Sequence, residues 1–170
     1  MRAPFSWAEL PGPGRITIRP RPPGGDQLDD AMRALAGQGA TVLGSMLTDE
    51  EVTILGLTDE GAAAERQGIR FVRFPIVDHR TPTSLEDAIV FADELATAYR
   101  GGGSIVLHCF AGIGRSALMA IATLVRAGVP LEDATLALSA ARGLRVPETP
   151  QQWAFVQAIE AATSKPPSSP

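Results

Sequence analysis

The sequence contains a single cysteine, Cys109, among its 170 residues. A lone cysteine excludes an internal disulfide bond, and it also excludes a structural zinc site built from several thiolates. An unpaired thiol is typical of proteins in reducing compartments, so we expect a cytoplasmic location. No cluster of metal-ligating residue types is visible along the sequence, and we therefore expect neither a metal ion nor another cofactor.

Long apolar runs and excess positive charge are also missing. The longest apolar run, "ALMAIATLV" (residues 117–125), is too short to cross a bilayer, and residues 1–14 lack the apolar core of a secretory signal. The chain has 15 Lys and Arg against 19 Asp and Glu, which gives a net charge of −4. Because such a chain does not attract polyanions broadly, we expect no nucleic-acid partner and no membrane partner.

Strand-like and helix-like patterns alternate along the chain. Strands are predicted over residues 14–20, 40–46, 69–78 and 104–108, and helices over 26–36, 59–67, 85–99, 116–126, 131–142 and 149–162. This alternation predicts an α/β fold: a single domain with a central, mostly parallel sheet of four to five strands flanked by helices. We assign the domain to residues 1–163 and predict that the Ser- and Pro-rich residues 164–170 are disordered.

Three segments have the spacing of a capping box, in which a Ser or Thr side chain and a Glu or Gln three residues later satisfy each other's backbone N–H groups. These pairs are Thr48 with Glu51, Thr83 with Glu86, and Thr149 with Gln152. The first predicts a short helix only weakly, because β-branched residues follow it.

The segment "SIVLHCFAGIGRS" (residues 104–116) combines a buried-strand pattern, the cysteine and a glycine-rich turn into a helix. Ligands of parallel α/β sheets bind beyond the carboxyl ends of the strands, where this turn lies. Its glycines allow successive N–H groups to face an anion, and the next helix directs its positive end to the same place. The candidate phosphate-binding residues are Phe110, Ala111, Gly112, Ile113, Gly114 and Arg115.

The same surroundings would activate the thiol. Amides, the helix dipole and Arg115 all favour a thiolate, so we expect the pKa of Cys109 to fall below its ordinary value of about 8.5. A thiolate is a nucleophile, Ser116 can donate a hydrogen bond to it, and His108 can hold the loop through its backbone. The plain alternative is that Cys109 is a small buried hydrophobe. That alternative leaves Arg115 without the anionic partner that a buried arginine needs.

The pattern Cys109-x-x-Gly112-x-x-Arg115-Ser116 resembles the Cys-x5-Arg-Ser/Thr signature of protein tyrosine phosphatases. It is most similar to their small dual-specificity branch, in which a histidine precedes the cysteine as His108 does here. "MLTDEEV", "GIRFVRFPIVD" and "RVPETPQQWAFV" resemble bacterial relatives of kinase-associated phosphatases. The resemblance covers about residues 12–160. It implies a tyrosine-phosphatase-like catalytic domain that hydrolyses phosphotyrosine, with phosphoserine and phosphothreonine as further candidates, through a cysteinyl-phosphate. The partner would be a phosphorylated protein or a small phosphomonoester.

The resemblance also implies a general acid in an upstream loop, at an Asp a few residues before a Pro. "FPIVDHRTP" supplies Asp78, which would protonate the leaving group and later deprotonate the attacking water. Among nearby acids, Asp59 and Glu60 lie too early, and Asp87 falls in a first helical turn, where acids are common. His79 and Arg80 adjoin Asp78 and are candidates for shaping substrate choice.

Some roles stay open at this stage. In larger relatives a C-terminal glutamine orients the hydrolytic water, which makes Gln152 or Gln151 a candidate, but the capping box explains Gln152 equally well. Arg142 and Arg145 can reach substrate anions, although a solvated surface role is favoured.

Alternative functions are a catalytically weak phosphoprotein-binding module and a phosphatase of phosphoinositides or small metabolites. Phosphoinositide phosphatases commonly carry lysines inside this loop, and the loop here has none. Three other Cys-x5-Arg groups fit less well. Low-molecular-weight phosphatases and arsenate reductases carry the loop near the N-terminus, and rhodanese-like phosphatases usually lack the acid loop.

Overall fold

A computed structural model describes residues 5–164, and its centre is a four-stranded parallel sheet. The strands are β1 (Arg15–Pro20), β2 (Val42–Ser45), β3 (Arg70–Arg73) and β4 (Ser104–Cys109), in the order β1-β4-β2-β3. All three pairings are parallel, and β4 lies between β1 and β2. The predicted α/β fold with a parallel sheet is therefore confirmed.

Seven α-helices cover the two faces of the sheet within the described part of the chain. They are α1 (Leu28–Gly37), α2 (Asp49–Ile54), α3 (Glu60–Arg66), α4 (Leu85–Arg100), α5 (Arg115–Arg126), α6 (Leu131–Arg142) and α7 (Pro150–Ser164). A 3-10 turn, Gly25–Gln27, precedes α1.

Alternation along β4 divides the core into two clusters. Ile105 and Leu107 pack with residues of α4, α5, α6 and α7, whereas Val106 on the opposite face packs with residues of α1 and α3. Helix α5 is buried over Arg115–Val125, as expected of a helix with neighbours on all sides. Because α5 directly follows the loop after β4, both ends of that loop are anchored in the core.

The structure shifts two predicted boundaries. The strand predicted over residues 69–78 is regular only from Arg70 to Arg73. Beyond it, the Phe74 N–H still donates to the Ser45 carbonyl and the Ile76 N–H to the Met46 carbonyl, so the chain stays beside β2 without a regular ladder. The predicted cap pair Thr83 and Glu86 is wrong by one residue. The same pattern recurs one position later, where the Ser84 side chain accepts a hydrogen bond from the Asp87 backbone N–H.

The predicted disordered tail begins at residue 164, but Ser164 is the last residue of α7. The remaining tail residues, 165–170, lie outside the described residues. Within residues 5–164, no helix combines the length and apolar character needed to cross a bilayer.

Candidate active site

The loop between β4 and α5 folds back over the thiol of Cys109. The Gly112 N–H donates a hydrogen bond to Cys109 Sγ at 3.3 Å, and Ser116 Oγ lies 3.3 Å from the same sulfur. Gly112 has φ +73°, and a Cβ there would lie 2.2 Å from the Arg19 carbonyl carbon. Only glycine therefore fits this position, and the resulting turn supplies the amide contact to the sulfur.

Arg115, the first residue of α5, is 1% exposed and surrounded by oxygen atoms. Its Nη1 donates to Glu51 Oε2 at 2.7 Å and to the Ile76 carbonyl at 2.8 Å, and its Nη2 donates to Glu51 Oε1 at 2.9 Å. Nη2 also lies 3.1 Å from Asp78 Oδ1. Arg115 Nε is buried and has no acceptor among the described residues.

The electrostatic surroundings keep the guanidinium charged. Burial by itself would lower the pKa of Arg115, but the hydrogen bonds to Glu51 and the charges of Cys109, Glu51 and Asp78 together raise it. The buried arginine thus has an anionic partner within the chain. Glu51 and Asp78 already neutralise the guanidinium, so its unpaired Nε is the part of Arg115 that still lacks an anionic partner among the described residues.

Glu51 is a site residue that the sequence analysis did not identify. The sequence signalled only its capping role, and that role is present: the Thr48 N–H donates to Glu51 Oε2 at 2.9 Å, and the Glu51 N–H donates to Thr48 Oγ1. Burial raises the pKa of Glu51, but the hydrogen bonds with Arg115 and Thr48 outweigh it, so the net pKa is lowered. One carboxylate therefore caps α2 and orients Arg115.

Asp78 lies beside this arginine in the loop that follows β3. Its side chain is 51% exposed, and Oδ1 accepts from the His79 backbone N–H at 3.0 Å as well as facing Arg115. His79 has φ +62°, and its ring lies between two carboxylates, with Nε2 3.4 Å from Asp78 Oδ2 and Nδ1 3.2 Å from Glu148 Oε2. The structure thus places the predicted acid next to the loop, with Glu148 as an unpredicted neighbour.

Gln152 is fully buried and connects three segments. Its backbone N–H and side-chain Oε1 form a reciprocal capping box with Thr149, and its Nε2 donates to the Arg80 carbonyl at 3.1 Å. A Cβ on Gly114 would lie only 3.0 Å from Gln152 Nε2, so the glutamine packs directly against the loop. Gln151, the other candidate, is exposed.

His108 points to the sheet face opposite the thiol. Its Nδ1 lies 3.3 Å from the Cys109 carbonyl oxygen, which fits the expected backbone role. Its Nε2 lies 2.5 Å from Oε1 of Glu60, a residue that sequence reasoning dismissed because it lies too early to be the acid. The side chains of His108 and Glu60 are 2% and 1% exposed.

Arg142 supports the loop from outside, in contrast to the solvated role that was favoured for it. Its Nε donates to the Gly112 carbonyl at 3.1 Å and its Nη2 to the Ala111 carbonyl at 2.9 Å. These bonds hold two carbonyls of the loop, while the Gly112 N–H donates to Cys109 Sγ. Arg145 instead lies over the Trp153 ring, 4.9 Å from its centroid.

The loop side chains form an apolar rim. Phe110 is 46% exposed, with the Arg21 guanidinium 5.3 Å from its ring centroid, and Ile113 is half-buried. Val77 in the acid loop is 57% exposed. The site therefore brings together a thiol, a guanidinium, a carboxylate and an apolar border, which are the groups required for nucleophilic displacement at an anionic ester.

Several solved structures have a similar fold. Kinase-associated phosphatase, with serine in place of its catalytic cysteine, matches with a TM-score of 0.80 and 18% identity over 96% of this chain and 98% of that chain. PTPMT1 in complex with PI(5)P gives 0.69 and 18% over 88% and 92%. The human tyrosine phosphatase-like serine/threonine/tyrosine-interacting protein gives 0.69 and 19% over 94% and 98%. At these identities the likeness establishes the fold.

Sequence comparison identifies the family. No curated protein matches the chain. The family model described as "Polymorphic toxin system, DSP-PTPase phosphatase" matches residues 21–129, which is more than half of the sequence. The chain therefore belongs to the DSP-PTPase phosphatases of polymorphic toxin systems, within the dual-specificity branch of the cysteine-dependent phosphatases.

Proposed function

We propose that this protein hydrolyses phosphotyrosine in proteins, with phosphoserine and phosphothreonine as secondary substrates, through a cysteinyl-phosphate. The observation that carries the proposal is the buried Nε of Arg115, a charged donor with no acceptor among the described residues. A buried unpaired donor is costly, and a phosphate oxygen above Cys109 would satisfy it. The same phosphate would accept hydrogen bonds from backbone N–H groups of residues 110–114, the predicted phosphate-binding loop.

In the first step, Cys109 Sγ attacks the phosphorus atom as a thiolate, so that an S–P bond forms while the ester P–O bond breaks. Asp78 donates its proton to the departing oxygen. In the structure Asp78 shares Arg115 Nη2 with Glu51. A substrate phosphate competes for that guanidinium and leaves Asp78 directed toward the leaving group.

In the second step, water attacks the phosphorus atom and the S–P bond breaks. Asp78 accepts the water proton, and inorganic phosphate leaves. Ser116 Oγ, 3.3 Å from the sulfur, donates a hydrogen bond to the developing thiolate. This contact lowers the barrier to breaking the S–P bond, because the sulfur departs as an anion.

The rim of the site favours an aromatic monophosphate over a polyphosphorylated headgroup. Exposed Phe110 and Val77 offer apolar contact to a phenyl ring. Glu148, which lies against the His79 ring, adds negative charge beside the acid loop, which disfavours further phosphates. PTPMT1 was solved with a phosphoinositide, but the loop here carries no lysine to hold one. A reducing compartment such as the cytoplasm would preserve the single thiol.

The test compares wild type with Cys109→Ser and Asp78→Asn on an aryl phosphate and a phosphotyrosine peptide. We expect no detectable turnover with Cys109→Ser. For Asp78→Asn we expect a loss in kcat of about 100-fold, together with a flattened basic limb of the pH–rate curve. Glu132→Gln, an exposed carboxylate on α6, is the matched control and should retain full activity.

Two results separate this proposal from a phosphoprotein-binding module. Trapping of a cysteinyl-phosphate during turnover supports hydrolysis. Wild type that binds the phosphopeptide but releases no phosphate from any aryl ester would show a binding module instead.

A further inference from the structure

A cavity of about 580 Å³ lies on the face of the sheet that packs against α1, and it has no part in the steps above. Strand residues Thr17, Leu43 and Val106 line it on one side, and Ala31 and Leu35 of α1 line it on another. Its volume is within the range of small-molecule sites, which combine apolar walls with a few polar groups. The cavity therefore has the size and the apolar walls that a bound small molecule needs.

The charged residues that line this cavity are arginines. They are Arg19 on β1, Arg21 directly after β1 and Arg142 at the end of α6, and no Asp or Glu of residues 5–164 joins them in the lining. The whole chain has a net charge of −4, so this concentration of positive charge is local. Because a guanidinium stays protonated in proteins, the charge of the cavity does not depend on where a proton is placed.

Arg21 and Arg142 bind neutral groups. Arg21 Nη1 donates to the Pro22 carbonyl at 3.3 Å, and the guanidinium lies 5.3 Å from the Phe110 ring centroid. Arg142 donates to two loop carbonyls through Nε and Nη2, and its Nη1 has no acceptor within residues 5–164. Other arginines of the fold pair with Asp or Glu: Arg33, Arg66, Arg70, Arg73, Arg115 and Arg126. The two cavity arginines therefore keep a positive charge that no described carboxylate balances.

We propose that this cavity binds an amphipathic monoanion, an aryl or alkyl group that carries one carboxylate, and that Arg142 transmits its binding to the nucleophile loop. The carboxylate pairs with Arg21 and Arg142, and the apolar body packs against the α1 side of the sheet. An anion that draws the Arg142 guanidinium into the cavity weakens its bonds to the two loop carbonyls. The contact between the Gly112 N–H and Cys109 Sγ is then less well held, and the thiolate is less stable. Inhibition of turnover is the one consequence that rests on the proposed function.

The binding test uses 4-phenylbutyrate and the uncharged 4-phenylbutanol, which share an apolar body. A phosphatase hydrolyses neither, so the result does not depend on the proposed activity. In calorimetric titrations we expect wild type to bind the carboxylate at least about tenfold more tightly than the alcohol. Arg21→Gln should weaken carboxylate binding by about three- to tenfold. Arg100→Gln, which removes an arginine of α4 that also donates to a backbone carbonyl, is the matched control and should bind like wild type.

Two binding results overturn the proposal. One is that wild type shows no measurable affinity for 4-phenylbutyrate. The other is that it binds the acid and the alcohol equally well. Ala34→Phe places a ring in the cavity from an exposed position of α1, and it should abolish binding of the acid. Undiminished binding to a folded Ala34→Phe variant would place the probe elsewhere on the protein.

Alkylation of Cys109 by iodoacetamide tests the link to the loop without requiring turnover, because this is the only thiol. At saturating 4-phenylbutyrate we expect alkylation of wild type at pH 6 to slow about two- to fivefold, and alkylation of Ala34→Phe to be unaffected. An unchanged rate in wild type shows that Arg142 transmits nothing, and equal slowing in both proteins shows that the probe acts at the thiol itself. Either result overturns the proposal. If Ala34→Phe folds poorly, Arg21→Gln gives the same test, since slowing should then require more probe.

Discussion

The N-termini of helices α2 and α7 are built alike, and both border the loop that holds Cys109. Each begins with a Thr whose side chain receives the backbone N–H three residues on, from Glu51 in α2 and from Gln152 in α7. The side-chain oxygen of each of these residues in turn accepts a hydrogen bond from the Thr backbone N–H. Each then makes a further contact: Glu51 binds the Arg115 side chain, and Gln152 donates to a carbonyl of the acid loop.

The difference between the two capping boxes lies in charge. Glu51 is a partly exposed carboxylate that balances a buried guanidinium, so it controls the electrostatics of the site. Gln152 is neutral and fully buried, and it faces the Arg80 carbonyl, which a carboxylate would repel. The same local motif therefore sets the orientation of a charge in one helix and the position of a loop in the other.

Among the capping residues, the largest effect is expected from Glu51→Gln, which keeps a side-chain oxygen for the cap but removes the charge opposite Arg115. Leaving a buried guanidinium with a weaker partner should misplace it for phosphate binding. We expect kcat/KM for an aryl phosphate to fall about 100-fold, which corresponds to about 2.7 kcal/mol. Steady-state kinetics measure this, with Glu50→Gln, an exposed neighbour on α2, as the control.

The ion pair between Glu51 and Arg115 also makes the stability of the fold depend on pH. The pKa of Glu51 is lowered in the folded protein from its ordinary value of 4.5, so its contribution is complete above about pH 4.5 and is lost as the pH falls through the lowered value. Wild type should therefore lose stability between pH 5 and pH 3 more steeply than Glu51→Gln in urea unfolding. Parallel curves would show that the carboxylate is not coupled to folding.

An intermediate effect is expected from Gln152→Glu, which keeps the acceptor for the α7 cap but loses the donor to the Arg80 carbonyl. The acid loop should shift, and kcat should fall about tenfold, as for the loss of one buried hydrogen bond. Both side-chain ends of Gln152 are engaged by protein groups. We therefore expect both chemical steps to slow together, without accumulation of a phosphoenzyme.

Rapid-quench kinetics distinguish this positioning role from the orientation of water. A burst of leaving group in Gln152→Glu, with cysteinyl-phosphate building up, would assign the glutamine to the second step instead. Thr149→Val, which removes only the side-chain acceptor of the cap, should leave kcat within about twofold of wild type.

The sequence predicted the elements of this fold well because their signals are local. Strand alternation, the cap pairs at Thr48 and Thr149, and the glycine-rich turn after β4 all depend on residues within a few positions of each other. The nucleophile loop could be identified for the same reason, since Cys109 and Arg115 belong to one short sequence motif.

Partners from distant segments could not be predicted in this way. Glu51 was recognised as a cap, yet nothing near it in the chain indicates Arg115, 64 positions away. Glu60 was dismissed as an acid because of its position, and its burial against His108 becomes visible only when α3 packs on the sheet. Arg142 looked like a surface residue in the sequence. The sequence does not show that its long side chain turns inward and binds loop carbonyls.

The smallest effect is expected at a third cap, which tests whether capping alone matters to the site. Ser84 caps α4 through the Asp87 N–H, but within residues 5–164 neither side chain forms a hydrogen bond or ion pair with the nucleophile loop or with Arg115. Ser84→Ala should lower the free energy of unfolding by about 1 kcal/mol and leave kcat/KM unchanged. Thr48→Ala removes a similar cap bond but also loosens Glu51, so it should reduce kcat/KM several-fold at a similar cost in stability. Chemical denaturation and kinetics on both variants decide the point. Equal activities would mean that the α2 cap has no influence on the site beyond stability, and that Glu51 is held by Arg115 alone.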